Sequence, residues 1–385
     1  MSGTAGDMVQ IHMLTAYPAS LLNRDDTGLA KRVPFGDATR TRISSQCLKK
    51  HWREADLLTE LGPMAVRSTR VYERLVALPL IAEHGASEEE AVAIAKWLMS
   101  KTVDTKPARA TEGVASAQSG QLLVLTRAET EYLLERAAEV LRSLRDSGIS
   151  VASAADVEKH QRAIDIKSAK DILKGLPASL DTALFGRMVT SDLFARVDSA
   201  VSVAHAFTTH REAAETDYFT AIDTLMDDTD HAGAGLIQDT ELTTGVYYLY
   251  AVIDMNQLRD NLVGFDAAHA ERLARNLIEA MATVSPGAKR GSTAPYAYAE
   301  FVLTERGQTQ PRSLANAFLK PIEASGANVM AASVDALLGH RVKLEAMYGE
   351  SALTAAMATI HEPRSAGPEQ ASFTQLLDRT FPTAA

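Results

Sequence analysis

The β-forming segments of this 385-residue chain stand far apart in sequence, and that separation limits the folds open to it. Residues 8–18, MVQIHMLTAYP, alternate and are rich in β-formers, as a strand requires, and Pro18 is expected to stop it. The next comparable segments come only at residues 241–255 (ELTTGVYYLYAVIDM) and 294–304 (APYAYAEFVLT). A helical period, AHAERLARNLIEAMATV, fills residues 268–284 between these two, and two more helices are expected around RSLANAFLK and MAASVDALLGHRVKLEAMYG. Strands and helices alternating in this way around an inserted helical block predict an α+β palm interrupted by accessory elements.

The inserted block runs from about Pro63 to Pro177. Ser87 with Glu90, and Thr126 with Glu129, have the spacing of capping boxes ahead of AVAIAKWLM and YLLERAAEVLRSL, and Gly148 is placed to end the second helix. Between these helices residues 105–121, TKPARATEGVASAQSGQ, read as a mobile loop. No fixed period marks a repeat array. Residues 351–385 have weak periodicity and are expected to form a peripheral tail.

Composition is that of an ordinary globular protein, 46% hydrophobic and 23% charged. No apolar run approaches the length of a membrane span, and the opening MSGTAGDMVQ lacks the pattern of an export signal, so a cytoplasmic location without a membrane partner is expected. Cys47 is the single cysteine, which excludes an intrachain disulfide and a cysteine-based zinc site. It stands at a helix start, where a dipole lowers a thiol pKa, but with no accompanying base it reads as a packing residue.

Charge is distributed unevenly. The whole chain has 39 Lys and Arg against 49 Asp and Glu, a net of −10, yet residues 22–53 hold eight basic and three acidic side chains. That segment, LNRDDTGLAKRVPFGDATRTRISSQCLKKHWR, is expected to be a long loop or ribbon leading into a helix capped at Ser44-Ser45. Arg24, Lys31, Arg40, Arg42, Lys49 and Arg53 reach toward a phosphate chain, and Ser44, Ser45 and Gln46 bring polar groups to a helix N-terminus. Lys49 and Arg53, four residues apart, share a helix face. The set suits backbone gripping without sequence readout, and a solvated basic surface is the alternative.

Elsewhere the chemical signals are weaker. Arg187 beside Met188 pairs a cation with an unbranched apolar wedge, against a plain packing role for the methionine. His205 and His210 are five apart, a spacing that does not favour metal binding on one helix face. Tyr218 and Phe219 offer π-faces, and Leu236-Ile237 beside Gly235 reads as an apolar loop tip, with a buried hairpin tip as the alternative. SPGAKRGST, residues 285–293, lacks the GK[ST] ending of a phosphate loop and reads as a basic loop. Asp25-Asp26 are read as salt-bridge partners of neighbouring cations before metal ligands or a general base. No catalytic constellation stands out, so no enzyme activity and no cofactor or metal is expected.

In order along the chain, IHMLTAYPASLLNRDD, TRTRISSQCLKKHWR, GRMVTSDLFARVDSAVSVAHAFTTH, DYFTAID, TTGVYYLY, PGAKR and PRSLANAFLK closely resemble the backbone subunit of the type I-E CRISPR Cascade complex, the CasC family. The resemblance spans about residues 9–320 with a divergent helical block between. It implies an α+β fold: a modified RNA-recognition (ferredoxin-like) palm at 8–60, 179–212 and 244–350, helical fingers at 61–178, a thumb at 213–243 and a tail at 351–385. It implies a non-catalytic subunit that multimerises along a CRISPR RNA in antiviral defence and presents it for pairing with a target DNA strand, beside other Cascade subunits. By matching positions and their neighbours, Arg24, Lys31, Arg42, Ser44, Ser45, Gln46, Lys49, Lys50, Arg53 and Lys289 would grip the guide. Arg187 and Met188 would sit where the RNA kinks, and Tyr218, Phe219, Thr220, Leu236 and Ile237 would belong to the thumb. The aromatic motif of an ordinary RNA-recognition domain is missing, and at least half of Tyr247, Tyr248 and Tyr250 should point into the core. Two other readings stand beside this one. One is a metal-dependent target-RNA endoribonuclease using Asp25 or Asp26, and the other is an unrelated enzyme with an anionic substrate at the Ser44 helix start.

Overall fold

The computed structural model describes residues 6–103, 112–160, 169, 171–173, 176–188, 191, 193–221, 236–323, 328–349 and 353–382. Its described strands are β1 (Met8–Ser20), β2 (Arg32–Phe35), β3 (Ala38–Ile43), β4 (Val66–Ser68), β5 (Leu123–Leu125), β6 (Val201–Val203), β7 (Ala206–Thr208), β8 (Ala214–Ala221), β9 (Leu236–Asp254), β10 (Phe301–Gly307) and β11 (Thr354–Thr359). The chain divides into two units, the first made of residues 1–58, 201–255 and 271–385, the second of 59–200 and 256–270.

The first unit is a mixed α+β unit built on an antiparallel sheet in the order β11-β10-β1-β9-β7-β3-β2, with β6 and β8 also paired to β9. The three β segments legible in the sequence are its three central neighbours, β10, β1 and β9. Every residue from Val9 to Leu14 is buried, so β1 is covered on both faces. On one face Leu14, Tyr248, Phe301 and Leu303 pack with Phe318, Met330, Val334, Leu337 and Leu338, the last four from the Val329–Tyr348 helix.

That face also holds a buried polar cluster. His12 Nδ1 lies 2.9 Å from the Tyr248 hydroxyl, and His12 Nε2 faces Glu305 at 3.7 Å. Arg341 Nε donates to Glu305 at 2.8 Å. Burial pushes Glu305 up, but the His12 ring and the Arg341 guanidinium outweigh it and hold the carboxyl at about 2. Burial keeps His12 below its ordinary value. The ring therefore bonds Tyr248 on one side and faces Glu305 beyond hydrogen-bond distance on the other, while Arg341 bonds that carboxylate directly. Tyr247 and Tyr248 are buried, as half or more of that tyrosine group was expected to be.

Several boundaries differ from those read in the sequence. Pro18 does not end the first strand, which runs to Ser20 through an irregular register between Tyr17 and Ser20, a place where a missing N–H is tolerated. The third β segment begins only at Phe301, leaving 294–300 irregular. RSLANAFLK holds a short 3-10 turn, Ala315–Phe318, in place of a helix. The expected peripheral tail supplies β11, which extends the sheet beside β10, and the Phe373–Thr380 helix with its Ser372/Gln375 capping box. Leu376 and Leu377 of that helix are buried, and its Thr380 hydroxyl lies 2.6 Å from that of Thr304.

The second unit is mainly helical. Both expected capping boxes are formed, at Ser87/Glu90 and Thr126/Glu129, on the Glu88–Thr102 and Arg127–Asp146 helices. Gly148 follows the second of these at a φ of 65°, the left-handed region glycine favours. Alanines 91, 93 and 95, Ile94, Leu98, Leu133, Ala137 and Leu141 form its core. The unit also contains a two-stranded β4-β5 pair that three-residue strands give no sequence period to reveal. It extends to Ala200, beyond residue 178, because Leu193 and Phe194 belong to the helical core. Of the expected loop at 105–121, residues 105–111 lie outside the described residues. Its remainder is an ordered turn at Gly113–Ser116, followed by Ser119, buried and bonded to Thr69 and Gln121. Among the described residues no helix is long and apolar enough to cross a membrane.

Candidate nucleic-acid interface

The basic segment is a folded ribbon. A bridge between Arg24 and Ala30 closes a short loop, and Asp25 organises it: its Oδ1 accepts from the Thr27 N–H at 2.9 Å, the Thr27 hydroxyl at 2.8 Å and the Leu29 N–H at 3.0 Å. These bonds, the Thr27 hydroxyl foremost, hold the Asp25 carboxyl below its ordinary range. Asp25 is therefore a turn organiser, where the sequence pointed to an ion-pair partner.

Next to this loop stands Asn23, a residue that sequence reasoning missed. Its carbonyl accepts from the Lys31 N–H at 2.9 Å, and its Oδ1 accepts from the Ser44 N–H at 2.9 Å. One asparagine thus ties the loop, the hairpin and the start of the Ser45–Arg53 helix together. The Lys31 carbonyl in turn accepts from the Arg42 N–H at 2.8 Å.

Individual side chains then separate by environment. Arg42 donates through Nε to the Arg32 carbonyl, and its Nη1 lies 2.8 Å from His205 Nδ1. Arg32 itself pairs with Glu212 at 2.8 Å and with Glu241. Arg40, named above among the phosphate-reaching cations, is fully buried and donates to the carbonyls of Thr208 and Phe318 at 3.1 and 2.7 Å. The β2-β3 ribbon turns it inward, away from any phosphate. Ser44 is 6% exposed, and its hydroxyl oxygen accepts from the Cys47 N–H, so it caps the helix and does not face a ligand.

Beyond the cap, Ser45 is half-buried and Gln46 is exposed. Leu48 and Trp52 are buried, which sets the helix rotation and leaves Lys49 and Arg53 half-buried one turn apart. Burial, then the Arg53 charge, holds Lys49 below its ordinary value. Lys50 is exposed and pairs with Glu54 at 3.2 Å.

A cleft of about 540 Å³ opens between the loop, the helix and a distant segment, and its lining sets Arg24 and Lys50 against Asp25 and Asp26, beside Asn23, Cys47 and Gly287. The Leu21–Ala288 bridge brings the 285–293 loop here. Burial pushes the Cys47 thiol up, and the opposing fields of Lys50, Lys31 and Arg290 meet at it. Cys47 is half-buried at the wall of this cleft. Lys289 is exposed, and its Nζ donates to the Thr240 hydroxyl at 2.6 Å.

The remaining candidates lie elsewhere. In the second unit Arg187 is 5% exposed, with Nη1 2.5 Å and Nη2 2.9 Å from the two Glu129 oxygens and two further bonds to the Ala195 carbonyl. Its guanidinium closes an internal ion pair, which corrects its expected place against the RNA. The neighbouring Met188 is 85% exposed. Tyr218, on β8, is exposed opposite Asp239. Phe219, Thr220, Leu236 and Ile237 lie on the β8-β9 ladder, but their side chains, and residues 222–235 of the expected thumb, lie outside the described residues. Among the described residues no group of three or more His, Cys, Asp or Glu is placed to hold a metal ion.

The family model of the CT1975-like proteins matches residues 9–381. No curated protein sequence matches the chain. Among solved structures, a chain described as "CRISPR RNA-guided surveillance complex, pre-nicking" is 25% identical, with a TM-score of 0.83 over 97% of this chain and 100% of that one. A second, described as "CRISPR RNA-guided surveillance complex", is 21% identical with a TM-score of 0.57 over 96% of this chain and 97% of that one, a likeness of fold.

Proposed function

This chain belongs to the CT1975-like protein family, and from that premise we propose that it is a non-catalytic CRISPR RNA-binding subunit of an RNA-guided DNA surveillance complex. In the finer reading it is the type I-E Cascade backbone subunit of the cytoplasm. Its first unit would be the modified RNA-recognition palm, its second the fingers, and the β8-β9 hairpin the base of the thumb. Copies would line up along one guide and leave it open to a target DNA strand.

The observation that carries this reading is the placing of Arg24 and Lys50 in the lining of one cleft, with Lys31 and Arg290 near enough to act on its Cys47, in a chain of net charge −10. Asp25 and Asp26 share that lining and Lys50 pairs with Glu54, and a phosphate chain supplies a row of further anions along which the gathered cations can lie. Lys49 and Arg53 support the same reading. They place two more cations one turn apart on the helix that carries Lys50.

Purifying the tagged protein from its host without nuclease and sequencing the accompanying RNA tests the proposal. Short RNAs of uniform length, each with a spacer between repeat fragments, are expected. Bulk RNA, or none, would count against it. The double variant Lys49→Ala/Arg53→Ala should weaken binding alike for every RNA sequence and lower the salt dependence by about 1.4 in slope, the share of two phosphates on a single strand. A loss confined to some sequences would contradict backbone gripping.

A further inference from the structure

The loop that reaches the cleft continues into a segment whose two tyrosines neither the core nor the phosphate grip uses. Tyr296 and Tyr298 are 70% and 71% exposed, while Pro295 between Ala294 and Tyr296 is buried and Ala297 is half-buried. The side chains alternate, so both rings stand on the outward side. Two large aromatic rings kept in water this close together are costly without a partner.

The segment is also held firmly. The Ser285 hydroxyl donates to the Ala297 carbonyl at 3.0 Å and accepts from the Ala297 N–H at 2.9 Å, clamping the residue between the two tyrosines. The Ala299 N–H donates to the Ala282 carbonyl at 2.8 Å. Lys289 and Ala294, which bracket the short Arg290–Thr293 turn, are the two non-glycine residues at positive φ among the described residues, at 56° and 40°. Side chains rarely adopt that conformation, and a chain keeps it where the surroundings enforce a particular presentation.

What covers the rings is indicated by charge and continuity. Gly287 and Ala288 line the cleft with Arg24, Lys50, Asp25 and Asp26, Pro295 packs against Gly287, Lys289 and Arg290 add two cations, and the tyrosines follow within ten residues. Aromatic faces beside a cationic groove are how proteins hold single strands, the groove tracking phosphates and the rings stacking on bases. We propose that Tyr296 and Tyr298 are stacking faces for unpaired bases of a single-stranded RNA whose phosphates lie along the adjoining cations Lys50, Lys289 and Arg290. This inference rests on the RNA-binding reading above and adds a base-contacting surface to it.

The test uses the full-length protein and two probes, a short adenosine oligoribonucleotide and an abasic oligomer of equal length. Tyr296→Ala/Tyr298→Ala should weaken binding of the first about ten-fold or more, on the scale of stacked bases. It should leave the salt slope and the binding of the abasic oligomer unchanged. Tyr296→Phe/Tyr298→Phe, which keeps both rings, should bind as the parent does. Both positions are exposed, so an unchanged melting temperature shows that the variants fold. If the parent binds RNA and Lys49→Ala/Arg53→Ala weakens it while the tyrosine variant does not, the stacking inference fails and the RNA reading stands. If the parent binds neither probe, both fail. Loss of self-association in the alanine variant, with RNA affinity intact, would make the tyrosines a protein-docking surface and overturn the proposal.

Discussion

Arg187 and Met188 are adjacent in sequence and opposite in environment. The arginine closes a bidentate pair with Glu129, whose carboxylate also completes the Thr126 capping box at 2.8 Å. Removing one partner leaves the other charge buried, so Arg187→Ala should cost about 3–5 kcal/mol of stability. Replacing both residues with apolar ones of similar size should recover most of that loss. Met188→Ala should leave the melting temperature unchanged, because its side chain packs on little. Denaturant unfolding of the three variants checks this, and a Met188 variant as unstable as the Arg187 one would contradict the assignment. Nothing local distinguishes the two residues, since the burial of Arg187 depends on a carboxylate 58 positions earlier.

At the scale of elements, the Ser45–Arg53 helix shows how a cap and a binding face are separated. Ser44 satisfies the Cys47 N–H, while Lys50, His51 and Arg53 in the last turn complement the C-terminal end of the dipole. Ser44→Ala should lower stability by about 1 kcal/mol, and Ser44→Asp should retain it, as thermal unfolding will show. An equal loss in both would mean that the hydroxyl matters for packing and not for capping. Capping was legible here, and at Ser87 and Thr126, because it depends on residues three apart. The β2-β3 ribbon was legible only as a ribbon, since the inward turn of Arg40 follows from its pairing with β7.

At the scale of the whole chain, His12, Glu305 and Arg341 join strand β1 to β10 and to the Val329–Tyr348 helix across nearly the full sequence. Glu305 is held at about 2 against an ordinary 4.5, so its contribution is present above pH 4.5 and is lost as pH falls from there toward 2. That difference corresponds to roughly 3 kcal/mol. His12 acts in the same direction: its folded pKa is lowered, so acid below about 6.5 favours the unfolded chain, which takes up the proton. Glu305→Gln should therefore lower stability at neutral pH and flatten the acid limb of the unfolding profile. A variant with the parent's acid limb would show that other carboxylates govern it.

What the sequence determined by itself is what short-range periodicity and spacing encode. This covers the three central strands, the capped helices, the insertion of a helical block and the concentration of basic charge at residues 22–53. Family resemblance added the expectation of a CRISPR subunit; the chain belongs to the CT1975-like family and is similar over nearly its whole length to a chain described as "CRISPR RNA-guided surveillance complex, pre-nicking". Tertiary structure alone decided which cations turn outward, that Asn23 links three segments, that the last thirty-odd residues complete the sheet, and that Tyr296 and Tyr298 stand exposed beside the cleft. The physical reason is common to all four. Whether a polar or aromatic side chain is buried depends on partners distant in sequence, and those partners become neighbours only when the strands pair.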